Sequence, residues 1–280
     1  MLICKGVGLS FRQTFFDELD TIKKDVDFLE IISERYFSEK NIEELKVLAK
    51  QFPLIPHGLS LSIGTYERLP KKKEKQISNL LTELKTDSYT DHLALSSVKD
   101  IELLDFFPAM YKDETLEFLK NKHKQLKENS LNNLYLENIT YTFNWHNNDY
   151  TELDFWCKVL NETEIGMLLD VSNLYINSVN HKYDPYAFFD RLPKDKINYL
   201  HVAGFISNKY GFLIDSHSEP VDSEVWKLAE YIIKKAPVQG VILERDLNCN
   251  NYHDVQNDIK IIKSLFKKKR SPSPLRGRSV

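Results

Sequence analysis

Short apolar runs alternate along the chain with longer stretches whose apolar positions recur every three or four residues. The short runs predict strands at Ile3–Leu9, Asp27–Ile32, Pro53–Leu59, Asp91–Leu95, Asn133–Ile139, Gly166–Val171, Ile197–Val202 and Gly240–Glu244. The stretches between them predict amphipathic helices. Phe16, Leu19 and Ile22 share one face of the first, Ile42, Leu45, Leu48 and Ala49 one face of the second, and Ile77, Leu80, Leu81 and Leu84 one face of the third. Later helices are expected over Glu114–Lys127, Thr151–Leu160, Pro185–Arg191, Ser223–Lys235 and Asp254–Phe266. Asp184-Pro185 is a helix entry pair, because the carboxylate can cap and the proline suits the first turn. Strand then helix, eight times over, is the order of a (β/α)8 TIM barrel, which typically takes ~250 residues. Residues 1–266 are therefore read as one catalytic domain. No Pro/Gly/Ser-rich linker interrupts the middle to favour two smaller α/β domains.

Composition narrows the function. Lys+Arg 38 against Asp+Glu 41 leaves a formal net charge of -3, which gives no general attraction for nucleic acid. No apolar run approaches the ~18 residues of a membrane span. Cys4, Cys157 and Cys249 are too scattered for a disulfide framework or a paired cysteine metal site, and read as reduced thiols of a cytoplasmic protein. The 9 glycines form neither G-x-G-x-x-G nor a P-loop, so nucleotide binding by those routes is not expected. From Lys267 the chain turns basic and rich in Pro and Ser, and residues 267–280 are expected to form a disordered tail.

Position and residue type together point to chemistry. Strands of a (β/α)8 barrel end at one mouth, where the active site is built. Six of the eight predicted strands carry a cation-binding residue there: His57, His92, Glu137, Asp170, His201 and Glu244. The segments after the sixth and seventh strands, read as loops, add Asn173 and His181, then Asp215 and His217. That many carboxylates and imidazoles in one place would repel or desolvate one another unless cations neutralised them. Ten candidates exceed what one ion uses, so two or three metals sharing carboxylates fit better. The imidazole, carboxylate and amide mixture leaves iron, manganese and zinc open. His123, within KNKHKQLKEN, is expected on a solvent-exposed charged face, as is His253 at the start of the last helix, and His146 is read as a loop residue. A metal-dependent hydrolase or sugar isomerase on the same barrel, or a non-catalytic metal-binding protein, remains an alternative.

Several motifs in order resemble the multinuclear non-haem iron-dependent oxidative enzymes, relatives of the iron enzyme that matures methanobactin. They are GVGLSFR at Gly6–Arg12, FLEIISE at Phe28–Glu34, HGLSLSIG at His57–Gly64, DHLALS at Asp91–Ser96 and YLEN at Tyr135–Asn138. They continue with LLDVSNLYINSVNH at Leu168–His181, YLHVAG at Tyr199–Gly204, DSHSEPVDSEVW at Asp215–Trp226 and ILERD at Ile242–Asp246. The resemblance implies two or three irons at the mouth, O2 as co-substrate and oxidation of cysteine in a ribosomally made precursor peptide. It also implies a small partner protein that grips the precursor leader. By the same resemblance the ten residues above fall at the metal-binding positions, and the reaction should depend on Asp170, His201 and His217. Two positions depart from the pattern: Ser172, where relatives often carry a second asparagine, and Phe205, where many carry histidine.

Overall fold

The computed structural model describes residues 4–99 and 101–270. Eight parallel strands close into a barrel: β1 (Gly6–Ser10), β2 (Phe28–Ile32), β3 (Leu54–His57), β4 (Ser88–His92), β7 (Asn133–Glu137), β8 (Gly166–Asp170), β9 (Ile197–Ala203) and β12 (Gly240–Glu244). The last of these pairs with the first, so no edge is left open. Two antiparallel hairpins sit on βα connections: β5 (Ala94–Val98) with β6 (Ile101–Pro108), and β10 (Phe205–Ser207) with β11 (Leu213–Asp215). The helices are α1 (Leu19–Ile22), α2 (Ile42–Gln51), α3 (Lys71–Leu84), α4 (Asp113–Glu128), α5 (Glu152–Glu162), α6 (Val171–His181), α7 (Pro185–Arg191), α8 (Ser223–Lys235) and α9 (Gln256–Arg270). The (β/α)8 architecture read from the pattern is the one observed.

Alternation along each strand makes two cores. Outward residues such as Leu29, Ile31, Leu134, Leu136, Leu169, Leu200, Val202, Val241 and Leu243 pack with the helices in one large apolar layer. Inward residues form a second, separate cluster: Cys4, Phe28, Ile55, Tyr135, Leu168, Tyr199 and Ile242. Two residues further along the same strands, on the same side of the pleat, stand Glu30, His57, Glu137, Asp170, His201 and Glu244. An apolar floor thus carries a polar layer above it, at the C-terminal mouth. Gly8 makes room in the floor, since a Cβ there would lie 2.5 Å from the ring of Phe28.

Helix entries follow ordinary capping chemistry. Asp184 accepts from Tyr186 N before Pro185, as expected, while Thr151 caps α5 and Asp222 caps α8. Four sequence expectations are corrected. The segment after the sixth barrel strand is helix α6, not a loop, because Asp170 caps it through Asn173 N and Val171, Leu174 and Ile176 bury their side chains. Asp91–Leu95 is divided between β4 and the first hairpin, whose second strand was not anticipated. His123 is buried rather than exposed, because α4 turns Lys122 and His123 inward. There Lys122 Nζ donates to the carbonyls of Ser62 and Thr65 and to the Thr65 hydroxyl, at 2.9, 2.8 and 2.6 Å. Finally, Lys267–Arg270 continue α9, and residues 271–280 of the expected tail lie outside the described residues. No helix of the described residues is long and apolar enough to cross a membrane.

At Gly204, between β9 and β10, another stretch of backbone passes close by. A Cβ there would fall 1.8 Å from the carbonyl oxygen of Glu219, two residues after His217. Gly204→Ala is expected to lose roughly 1–3 kcal/mol by overpacking, read as a drop of several degrees in Tm by differential scanning calorimetry. An unchanged Tm would show that the 219–220 segment yields freely.

Candidate metal centre

The polar layer is built on His201. Its ring is fully buried, with Nε2 2.9 Å from Glu30 Oε2 and Nδ1 3.1 Å from both Glu137 Oε1 and Glu244 Oε2. Burial alone would lower its pKa, but Glu244, Glu30 and Glu137 together raise it well above the usual histidine range. His57 Nδ1 meets the Thr90 hydroxyl at 2.8 Å, which leaves Nε2 facing Glu137 Oε2 at 3.6 Å. His92 Nε2 approaches the same oxygen to 3.3 Å. Phe106, from the first hairpin, stacks on the His92 ring with centroids 3.9 Å apart. Glu137 therefore sits among three imidazoles. Burial raises its pKa, but His201 and His92 lead a net lowering. Glu244 is held well below the usual carboxylate range, since His201 and His217 outweigh its burial.

Asp170 has the opposite environment. Its Oδ1 caps α6 by accepting from Asn173 N at 2.7 Å, and Asn138 brackets its backbone through two hydrogen bonds of 2.8 and 2.9 Å. Burial, then the charges of Glu137 and Asp215, raise its pKa well above the carboxylate range. Asn173 follows one turn into α6, with Nδ2 on the Asn138 carbonyl at 3.1 Å.

His217 enters from the connection after the second hairpin. Its backbone lies in the left-handed region at φ +49°, uncommon for a side chain with a Cβ, and its carbonyl accepts from Asp246 N at 2.9 Å. Its Nε2 is 2.9 Å from Asp215 Oδ1, and its Nδ1 lies 3.1 Å from Asp246 Oδ2 and 3.8 Å from Glu244 Oε2. Asp246 is in turn held by Arg12 Nε at 2.5 Å. Burial works against protonation of His217, but Glu244, Asp215 and Asp246 push its pKa up to about 12.

Three sets of donor atoms lie close enough to share an ion: Glu30, His57 and His201; His57, His92 and Glu137; and Glu137, Asp170, His201 and Glu244. Several of the site's buried atoms have no hydrogen-bond partner, namely Glu30 Oε1, Glu137 Oε2, Asp170 Oδ2, Asn173 Oδ1, Asp215 Oδ1 and His217 Nε2. The last two are only 2.9 Å apart yet do not align as a hydrogen bond. Buried oxygen and imidazole nitrogen atoms left without partners this close together suit a cation, and their chemistry fits iron, manganese or zinc.

Of the ten residues proposed from the sequence, nine surround this mouth: His57, His92, Glu137, Asp170, Asn173, His201, Asp215, His217 and Glu244. His181 does not join them. At the end of α6, its Nε2 lies 2.8 Å from the Tyr141 carbonyl and its ring is parallel to that of Tyr141 at 4.3 Å. Two participants were missed. Glu30 lies two residues before the end of its strand, so a search of strand ends passes over it. Its signal is a lone carboxylate inside the apolar run FLEII. Asp246, two residues beyond Glu244, orients His217. Of the two departures, Ser172 ties α6 to β9 through the backbone of Ala203, at 2.9 and 2.8 Å, and Phe205 packs on Tyr175. His146 and His253 are exposed, and Cys249 is buried away from the donors. His57, His92, Glu137, Asn173, Asp215, His217 and Glu244 line a cavity of about 490 Å³, together with Arg12, Asp105, Phe106, Ile139 and Thr140.

Fold and site define a (β/α)8-barrel enzyme with metal-type donors at the C-terminal mouth. More particularly, the chain belongs to the family of RiPP precursor modification enzymes MbnB/TglH/ChrH, whose model matches residues 6–267. It is 33% identical to a UPF0276 protein of Acinetobacter baylyi, over 92% of this chain and 90% of that one. It is 31% identical to a UPF0276 protein of Shewanella loihica, over 98% and 99%. Among solved structures, a D-tagatose 3-epimerase-like protein superposes with TM-score 0.62 at 16% identity, covering 94% of this chain and 98% of that one. The 3-keto-D-glucoside 4-epimerase of E. coli does so with TM-score 0.59 at 17% identity, over 94% and 99%. At such identities these two share the fold with this chain.

The pKa of His92 gives a pH test. Burial opposes its charge, but Glu137 and Asp91 prevail and raise the pKa to about 9. A raised folded-state pKa contributes stability that is present below the unfolded value of about 6.5 and is lost as pH climbs through the folded value. In chelator-treated protein, the urea midpoint should therefore fall as pH rises from about 6.5 to 9. Saturation with a divalent cation should flatten that dependence, because coordination holds the imidazole neutral. A metal-free profile already flat across this window would contradict the arrangement.

Proposed function

We propose that this chain oxidises cysteine residues of a ribosomally synthesised precursor peptide with O2, using two or three irons held at the barrel mouth. The observation that carries the reading is the convergence of imidazole, carboxylate and amide side chains from seven strands and two following segments at one mouth, several of their buried atoms without a partner, in a chain of the precursor-modifying family. His57, His92, Glu137, Asp170, Asn173, His201, Asp215, His217 and Glu244 are the proposed holders, with Glu30 added. Iron bound there would supply one-electron chemistry with O2 and favour the thiolate of a substrate cysteine.

The chain's own residues do the rest. Thr90 fixes the ring of His57 through Nδ1, which leaves Nε2 for the cavity. The Arg12–Asp246 pair does the same for His217, engaging Nδ1 and freeing Nε2. The amide of Asn173 ties one oxygen of Asp170 and leaves Oδ2 to face its neighbours. Phe106 covers the His92 ring and shields that side of the site. The cavity of about 490 Å³ takes a side chain and its flanking backbone rather than a folded protein, which accords with a flexible peptide substrate presented by a separate leader-binding protein. Three free cysteines fit a reducing cytoplasmic setting.

Coexpression with a short cysteine-containing peptide encoded nearby, followed by metal analysis, O2-uptake measurement and mass spectrometry, tests the proposal. Peptide modification that consumes O2 and requires iron is the expected result. Asp170→Ala and His201→Ala should each lower bound iron and abolish modification. A single tightly bound zinc as the only metal, or full turnover in either variant, would overturn it.

A further inference from the structure

A second cavity, of about 510 Å³, opens between Tyr111, just ahead of α4, the connection from β7 to α5, and α7 with the residues before it. Its walls are mostly aromatic: Tyr111, Tyr141, Trp145, Tyr183 and Phe188 line it. These rings are fixed in place. Trp145 Nε1 donates to the Pro108 carbonyl at 2.7 Å, Tyr111 N donates to Asn148 Oδ1 at 2.9 Å, and Tyr183 stacks on Phe188 with centroids 5.5 Å apart. Two carboxylates line the cavity: Asp184, which caps α7, and Glu152, from the first turn of α5. Glu152 is the one without a cap or cation to engage it. The Oε2 of Glu152 is buried without a hydrogen-bond partner, and so is the hydroxyl of Tyr183.

Charges at the rim are already engaged elsewhere. Arg191 pairs with Asp154 at 2.5 Å, and Asp184 caps α7. Lys158 lies 5.0 Å over the Tyr150 ring and bridges to Asp113 and Glu162 at 3.2 and 2.9 Å. Burial accordingly raises the Glu152 pKa to about 7, opposed only by the Tyr141 hydroxyl and by no cation. A buried carboxylate without a counter-ion is costly, and aromatic faces beside it attract organic cations through their negative quadrupoles. Both features call for the same kind of occupant.

We propose that this cavity binds the cationic side chain, lysine or arginine, of the peptide whose cysteine enters the metal-type mouth. The assignment to a peptide rests on the proposed function and on continuity of the two walls. Ile139 and Thr140 line the mouth cavity, and the next residue, Tyr141, lines the aromatic one. An extended peptide leaving the mouth over this three-residue wall meets the aromatic cavity directly. The ring of His181 packs parallel to that of Tyr141 at 4.3 Å and helps hold it in place.

The test is calorimetric titration of the full chain, without metal, using four probes: N-acetyl-lysine N-methylamide, N-acetyl-arginine N-methylamide, N-acetyl-norleucine N-methylamide and free butylammonium. Lysine or arginine should bind at least about tenfold more tightly than norleucine, and more tightly than butylammonium. Glu152→Gln should erase that preference while preserving the unfolding midpoint. Norleucine binding as well as lysine, or no saturation by any probe, overturns the proposal. Butylammonium matching the lysine probe overturns the peptide assignment in favour of a small free amine. The probe comparison needs no variant, so it stands even if Glu152→Gln folds poorly. Because it needs neither iron nor turnover, its failure is separable from failure of the oxidative reading, which the O2 and iron measurements decide.

Discussion

Charge balance inside a closed barrel constrains everything else in this molecule. Glu30, Glu137 and Glu244 are removed from water and crowd around His201, whose two ring nitrogens lie 2.9–3.1 Å from all three. Buried carboxylates at such spacing are tolerated only with positive charge among them. Protonated imidazoles supply part of it, which is why His92, His201 and His217 are all shifted upward. Asp170 is shifted upward too, because burial and the charges of Glu137 and Asp215 outweigh His201. A site whose acids and bases are pushed apart like this is poised to exchange protons for metal cations.

The barrel can hold such a layer because the layer beneath it is apolar and closely filled. Phe28, Ile55, Tyr135, Leu168, Tyr199 and Ile242 seal the interior below, while the outer core clamps the strands from the helix side. Surrounding side chains then set direction. Thr90, Asp246 with Arg12, and the amide of Asn173 each occupy one atom of a donor and leave the other to the cavity. The two hairpins extend the mouth, one placing Phe106 on His92 and the other bringing Asp215 toward His217.

Much of the site was legible because parallel strands buried on both faces read as unbroken apolar runs, so a His or Glu at the end of one stands out. Glu30 escaped that logic by standing inside its strand. His181 satisfied the motif, yet in the fold it stacks on Tyr141 rather than facing the other donors. Helix α6 was hidden by its Ser and Asn content, since those residues prefer caps and turns, and its stability comes from the Asp170 cap and buried apolar face instead. His123 and Lys122 looked solvated because a charged run carries no record of the carbonyls that receive the lysine.

Local pattern thus determined the barrel, the order of its strands and most of the side chains at its mouth, because strand periodicity and helix amphipathicity are properties of neighbouring residues. Which nitrogen faces which oxygen, which histidine stands aside, and where the Glu152 carboxylate is enclosed by aromatic rings were decided only by tertiary structure. Those relations join residues far apart in the chain, such as Arg12 with Asp246 and Glu30 with His201. No sequence spacing encodes the barrel closure that brings them within hydrogen-bonding distance.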